Sequence, residues 1–233
     1  MQGRHIDFPV DGGTCGGYLA APVEGQGPAV IVLQEWWGLT PHIEDVCDRF
    51  AREGFVALAP DLYHGERASG PDDAGRLMMA LEIARASRDL RAAAQRVTRD
   101  PASATAKAGV IGFCMGGQLA LFAACESAEI GACVDFYGIH PKVRPDLAAL
   151  ARNGTPVLGI FAEKDAFVTP ADGRDLAARV RAVGGRFELH VYPNVDHAFF
   201  NDTRPEVHDS AAAQDAWQRT LRFLRDNTSR RTG

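Results

Sequence analysis

The chain has 233 residues, of which 46% are hydrophobic and 24% charged, and a formal net charge of −5. That length and balance suit one α/β domain over residues 1–233, with a core large enough to need no disulfides. The mild acidity argues against nucleic acid or an anionic membrane as the main partner and leaves a small molecule. The five cysteines (Cys15, Cys47, Cys114, Cys125 and Cys133) are scattered without a C-x-x-C pair, as reduced thiols would be. Residues 1–11 carry no apolar signal core, and no stretch approaches twenty apolar residues. A cytoplasmic protein is expected, as a monomer or weak homodimer.

Taken in order, residues 6–10 and 14–21 are short β-like runs joined by Asp11-Gly12-Gly13, which predicts an antiparallel hairpin. Residues 29–34 (AVIVLQ) form a continuous apolar run, the pattern of a strand covered on both faces. Residues 35–40 are a loop. Residues 41–53 are helical, with Thr40 as N-cap and Pro41 in the first position. A second buried strand at 54–59 stops at Pro60-Asp61, and an irregular loop covers 64–71. The apolar stripe of Leu77, Leu81, Ala84 and Leu90 predicts one long helix from 72 to about 99, with a break near Ser87 as an option. Strands follow at 107–113, 132–137, 156–162 and 187–192. Helices are expected at 115–126, 170–183 and 206 to about 227, and a loop or short helix at 141–153. Residues 228–233 read as a tail. After the hairpin, strands and helices alternate to the end. This predicts a mostly parallel sheet with helices on both faces and a site at the carboxyl ends of its strands.

Gly112-Phe113-Cys114-Met115-Gly116 stands between a predicted strand and a helix. It is the nucleophile-elbow pattern G-x-S-x-G with cysteine in place of serine. Gly112 and Gly116 lack the Cβ atoms that would clash where strand and helix close on each other. The helix begins just after Cys114, and its partial positive end favours a thiolate. A cysteine nucleophile needs a base, and the base an orienting acid, in the chain order nucleophile, acid, histidine. Asp165 follows the strand at 156–162 and is favoured over Glu163, Asp172 and Asp135. His197 follows the last strand and is favoured over His5, His42, His64, His140, His190 and His208. The same template places the oxyanion hole at the backbone amides of Trp36 and Met115. Glu35, one residue before that loop amide, is an unusual neighbour for ester hydrolysis. It could accept the thiol proton, hold the thiol until substrate arrives, or simply end a strand in water.

The elbow Gly-Phe-Cys-Met-Gly-Gly, Gln34-Glu35 with Gly38, Pro60-Asp61-Leu62-Tyr63, Asp135-Phe136-Tyr137-Gly138, Asp165-Ala166-Phe167-Val168 and His197-Ala198-Phe199 together resemble the dienelactone hydrolase family of α/β-hydrolases. The resemblance implies the α/β-hydrolase fold and hydrolysis of enol lactones or activated esters. It also implies a Cys114–His197–Asp165 triad, Glu35 as a thiol-activating glutamate, and neither a metal nor an organic cofactor. Members of the family hold the substrate carboxylate with arginines, one of them soon after the catalytic histidine. Here residues 198–202 contain none before Arg204, so Arg76 becomes the candidate. Trp36, Trp37, Tyr137, Phe199 and Phe200 then suggest a more apolar pocket. A ligand-binding or thiol redox-sensing protein on the same fold is the alternative.

Overall fold

The computed structural model describes residues 3–228. Of the predicted tail, 229–233 lie outside them, whereas Thr228 is buried and its hydroxyl donates to the Leu224 carbonyl at 2.6 Å. Eight strands form one sheet, in the spatial order β1-β2-β4-β3-β5-β6-β7-β8. β1 (Arg4–Val10) and β2 (Gly13–Ala20) make the N-terminal antiparallel hairpin, and β2 pairs antiparallel with β4 (Val56–Pro60). The others run parallel: β3 (Ala29–Leu33), β5 (Ala108–Phe113), β6 (Ile130–Phe136), β7 (Val157–Ala162) and β8 (Phe187–Tyr192).

Every residue of β3, β4 and β5 is buried, because apolar layers cover both faces. Ile31, Leu33, Leu58 and Val110 turn to one layer with Leu90 of α3 (Ile83–Thr98) and Leu119 of α4 (Met115–Glu126). Val30, Val32, Ala57 and Ile111 turn to the other, with Ile43 of α1 (Pro41–Arg52) and Leu224 of α7 (Ser210–Asn227). The period-two alternation of side chains divides them in this way.

Two helix predictions need correction. The long helix at 72–99 is two helices, α2 (Pro71–Ala80) and α3, and the break lies at Leu81-Glu82, not near Ser87. Leu81 adopts φ −55°, ψ 121° and buries its side chain in the core. Burial outside the helix outweighs a helical propensity that is good at both positions, so no local signal marks the break. The last helix starts at Ser210 instead of 206, because Asp209 caps it by accepting from the Ala212 amide at 2.9 Å. Residues 141–153 hold a short helix, α5 (Leu147–Asn153), capped by Asp146 and closed by Gly154 in the left-handed region. α6 (Pro170–Ala182) begins with a capping box between Thr169 and Asp172.

Candidate active site

β5 delivers Cys114 to a sharp turn at the sheet's carboxyl edge. Its backbone has φ 54° and ψ −119°, a conformation costly for a residue with a Cβ, and α4 starts at the next residue. The turn is over-determined by its neighbours. Cys114 N–H donates to Phe136 O at 3.0 Å, and Cys114 O accepts from Gly117 N–H and Ile139 N–H. A Cβ on Gly112 would lie 1.9 Å from the Gly116 carbonyl oxygen, and one on Gly116 would lie 2.5 Å from Gln34 O. Only glycine at both places lets α4 close on β5 and β3.

β7 and β8 supply the next two groups. Asp165 is buried in the turn after β7, where its Oδ1 accepts from the amides of Phe167 (2.7 Å) and Val168 (2.9 Å). Its Oδ2 lies 2.6 Å from His197 Nδ1. Two amides on one oxygen and the ring on the other fix the carboxylate's orientation. Burial works against a charged His197 ring, but hydrogen bonds to Asp165 and Cys114 outweigh it and push its pKa up to about 10. Tyr137 packs against the ring at 4.8 Å with the planes tilted by 55°, and Phe167 meets it edge-on at 5.4 Å.

Glu35 enters from the loop after β3 and is almost fully buried. Burial raises its pKa, opposed by the Asn201 hydrogen bond and the charges of His197 and Arg204. Asn201 Nδ2 donates to Glu35 Oε2 at 2.8 Å. The amide's orientation is set from behind, since Asn201 Oδ1 accepts from Thr203 N–H (3.0 Å) and Thr203 Oγ1 (2.7 Å). Sequence reasoning missed Asn201. Its nearest signal, the Asn-Asp-Thr turn after Phe200, looks like an ordinary loop. The Tyr63 hydroxyl lies 3.2 Å from Trp36 O and 3.1 Å from Met115 Sδ, which links the two segments that carry the predicted oxyanion amides. Met115 is the first residue of α4, so its N–H has no intrahelical acceptor.

Glu35, Trp36, Trp37, Cys114 and His197 line one cavity of about 620 Å³, with Asp165 behind the histidine. Four of the expected pocket residues, Arg76, Tyr137, Phe199 and Phe200, lie elsewhere. Arg76 is exposed and paired with Asp73 and Glu66. Tyr137 and Phe199 are fully buried and support the His197 loop from behind. The cavity wall is mostly apolar, as expected, and Arg144 and Arg204 add two guanidinium groups to it. Arg204 arrives through the turns at 198–208, and its Nε donates to Glu206 Oε1 at 2.9 Å. His140 lines the cavity too and is disfavoured in its charged form by burial. The other four thiols are poor nucleophiles. Burial, first among the causes, pushes Cys15 and Cys125 up to about 12 and Cys47 and Cys133 well above the usual thiol value.

The eight-stranded sheet, its antiparallel edge hairpin and a strained turn between β5 and α4 are those of an α/β-hydrolase. The chain matches the dienelactone hydrolase family over residues 15–228 and belongs to it. "Protein usf" of Aquifex pyrophilus is 38% identical over 232 residues, spanning 97% of this chain and 99% of that one. A protein of Aquifex aeolicus named "Putative carboxymethylenebutenolidase" is 36% identical over 233 residues, spanning 96% and 98%. The crystal structure named "Putative Dienelactone Hydrolase" from Klebsiella pneumoniae superposes with a TM-score of 0.85 at 30% identity, over 95% of this chain and 97% of that one. The chain is therefore a hydrolase of this family, acting on a small-molecule substrate. No helix among the described residues is long and apolar enough to cross a membrane.

Proposed function

We infer that the protein hydrolyses enol lactones or activated esters through a thioester on Cys114. The observation that carries this is one cavity holding a cysteine at the elbow and a histidine clamped at 2.6 Å to a buried aspartate. His197 takes the thiol proton as sulfur attacks the carbonyl carbon, forming the S–C bond and an oxyanion. The Trp36 and Met115 amides receive that oxyanion. Collapse breaks the C–O bond to the leaving group, and the His197 proton goes to the departing oxygen or, for an enol lactone, to the carbon of the departing enolate. Water then cleaves the thioester with His197 as base, and the thiol returns. Asp165 holds the ring in the right tautomer and stabilises its charge throughout.

Glu35 is the second proton acceptor of the cavity. Burial makes its carboxylate more basic than one in water, so it suits holding the Cys114 thiol by a hydrogen bond until substrate arrives and His197 takes the proton. The substrate proposed is a lactone or ester bearing a carboxylate. Arg144 and Arg204 both line the cavity, and guanidinium groups recognise planar carboxylates by paired hydrogen bonds. The aromatic walls of Trp36, Trp37 and Phe167 suit a flat conjugated ring.

The test is hydrolysis of p-nitrophenyl acetate and cis-dienelactone by Cys114→Ala, alongside Arg204→Ala and a panel of neutral aryl esters and uncharged lactones. Cys114→Ala is expected to be inactive on both substrates, and full activity would sink the triad. Arg204→Ala is expected to raise KM for the anionic lactone and leave neutral esters nearly unchanged. An equal effect on both would remove the carboxylate from the proposed substrate.

A further inference from the structure

A second cysteine–histidine–aspartate group lies outside the hydrolytic cavity. Cys15 on β2, His64 in the turn after β4 and Asp89 on α3 each offer one donor atom, all within 4.8 Å of one another. None of the three lines the cavity that contains Cys114. They meet because the turn after β4 is tied to β2: Asp61 N–H donates to Gly16 O at 2.8 Å, and Cys15 Sγ lies 3.7 Å from Asp61 O. Asp61 also shapes the turn by accepting from the Tyr63 and Gly65 amides. His64 sits at φ 52° within it, and its Nε2 lies 2.9 Å from Asp89 Oδ2.

Asp89 is 1% exposed, and its Oδ1 has no hydrogen-bond partner among the described residues. A buried carboxylate oxygen without a donor is costly and rare, and it marks a place where a donor or a cation belongs. His64 also faces a separate cavity of about 250 Å³, which gives solvent a way in. A second catalytic triad is the wrong reading of the group, since burial, Asp89 and Asp61 hold the Cys15 thiol up at about 12. A dication is the partner that draws such a proton away.

We propose that Cys15, His64 and Asp89 bind one divalent metal ion of zinc-like character, with water from the adjoining cavity completing a tetrahedral set. The donor chemistry is balanced: one thiolate and one carboxylate neutralise the dication, and the imidazole is neutral. Zinc–ligand lengths of about 2.0–2.3 Å imply donor separations of roughly 3.3–3.6 Å, so on binding the His64–Asp89 pair opens slightly from 2.9 Å while Cys15 closes on it from within 4.8 Å. Cys15 loses its proton to solvent as sulfur donates a lone pair to the metal, and no redox change occurs. The site ties the edge hairpin to the turn after β4 and to α3.

The experiment uses the full chain stripped with a chelator and titrated with Co²⁺ alone, followed by displacement with Zn²⁺. A near-ultraviolet thiolate-to-cobalt charge-transfer band should appear with one metal per chain, and it should persist in Cys114→Ala. It should vanish in Cys15→Ala, while Asp89→Asn and His64→Gln should each weaken binding by at least about 100-fold. Zn²⁺ should raise the melting temperature of the unaltered chain and of Cys114→Ala, but not that of Cys15→Ala. Hydrolysis of p-nitrophenyl acetate by Cys15→Ala should be unchanged. No band in the unaltered chain overturns the proposal. So does a band that survives Cys15→Ala but disappears in Cys114→Ala, which would put the metal on the hydrolytic cysteine. Either result leaves the hydrolase reading untouched.

Discussion

Asn201→Asp offers a sharp test of how Glu35 is held. The change is isosteric and keeps an oxygen for the two Thr203 bonds, but it places a carboxylate where the amide donates to Glu35 at 2.8 Å. Two like charges at that distance repel by roughly 6 kcal/mol at an effective dielectric constant of about 20. Holding one shared proton is cheaper, at about 1.4 kcal/mol for each pH unit above the carboxyl's ordinary range. The sign follows from linkage. A carboxyl whose folded pKa is raised keeps a proton that the unfolded chain releases, so stability falls as pH climbs from the unfolded value to the folded one. From pH 5 to pH 8 the variant is expected to lose up to about 4 kcal/mol. That corresponds to a fall of roughly 8–16 °C in Tm for a chain of this size. The unaltered protein has the same sign with a shallower slope, since burial raises Glu35 but the Asn201 bond lowers it. Urea unfolding at pH 5 and pH 8 reads the effect. Adding Glu35→Gln reverses donor and acceptor and should restore most of the stability at pH 8. An equal loss at both pH values, or no recovery in the double variant, would refute the reasoning.

Four further outcomes are expected. Asp165→Asn should lower kcat by about 10³–10⁴-fold, because an amide cannot hold the His197 tautomer or stabilise its charge. The same variant should flatten the alkaline limb of a stability profile. His197 is raised to about 10, so its contribution is complete below about 6.5 and is lost as pH rises from there toward 10. Gly112→Ala should be destabilised by more than about 3 kcal/mol or fail to fold, since its Cβ would meet the Gly116 carbonyl at 1.9 Å; a soluble variant with an unchanged urea midpoint would contradict that elbow geometry. Iodoacetamide at neutral pH should label Cys114 first, with Cys15, Cys47, Cys125 and Cys133 far slower, and peptide mass mapping after timed quenching would expose equal rates if they occur.

Much of this protein is local physics and could be read directly from the sequence. Apolar runs such as AVIVL at β3 and AGVIGF at β5 mark strands covered on both faces, because only a doubly layered sheet buries every residue of a run. The glycines around Cys114 mark the elbow, because strand and helix cannot close there over a Cβ. Chain order alone brought Asp165 and His197 to the ends of successive strands, and so into reach of one another.

Other features depend on groups distant in sequence and on which of several acceptable conformations buries more. The break at Leu81-Glu82 carries no glycine or proline, and it exists because the core takes the Leu81 side chain. Arg76 looked available to substrate, yet the fold turns it outward to Asp73 and Glu66, while Arg144 and Arg204 come to the cavity through turns of no regular period. Asn201 reaches Glu35 across 166 positions of chain, and Cys15, His64 and Asp89 meet from a strand, a turn and a helix. Sequence patterns of period two or 3.6 report which face a side chain takes within its own element. Which side chains then share a cavity is decided only when the elements pack, and that is what brings Arg144 and Arg204 to the cavity and Cys15, His64 and Asp89 to one another.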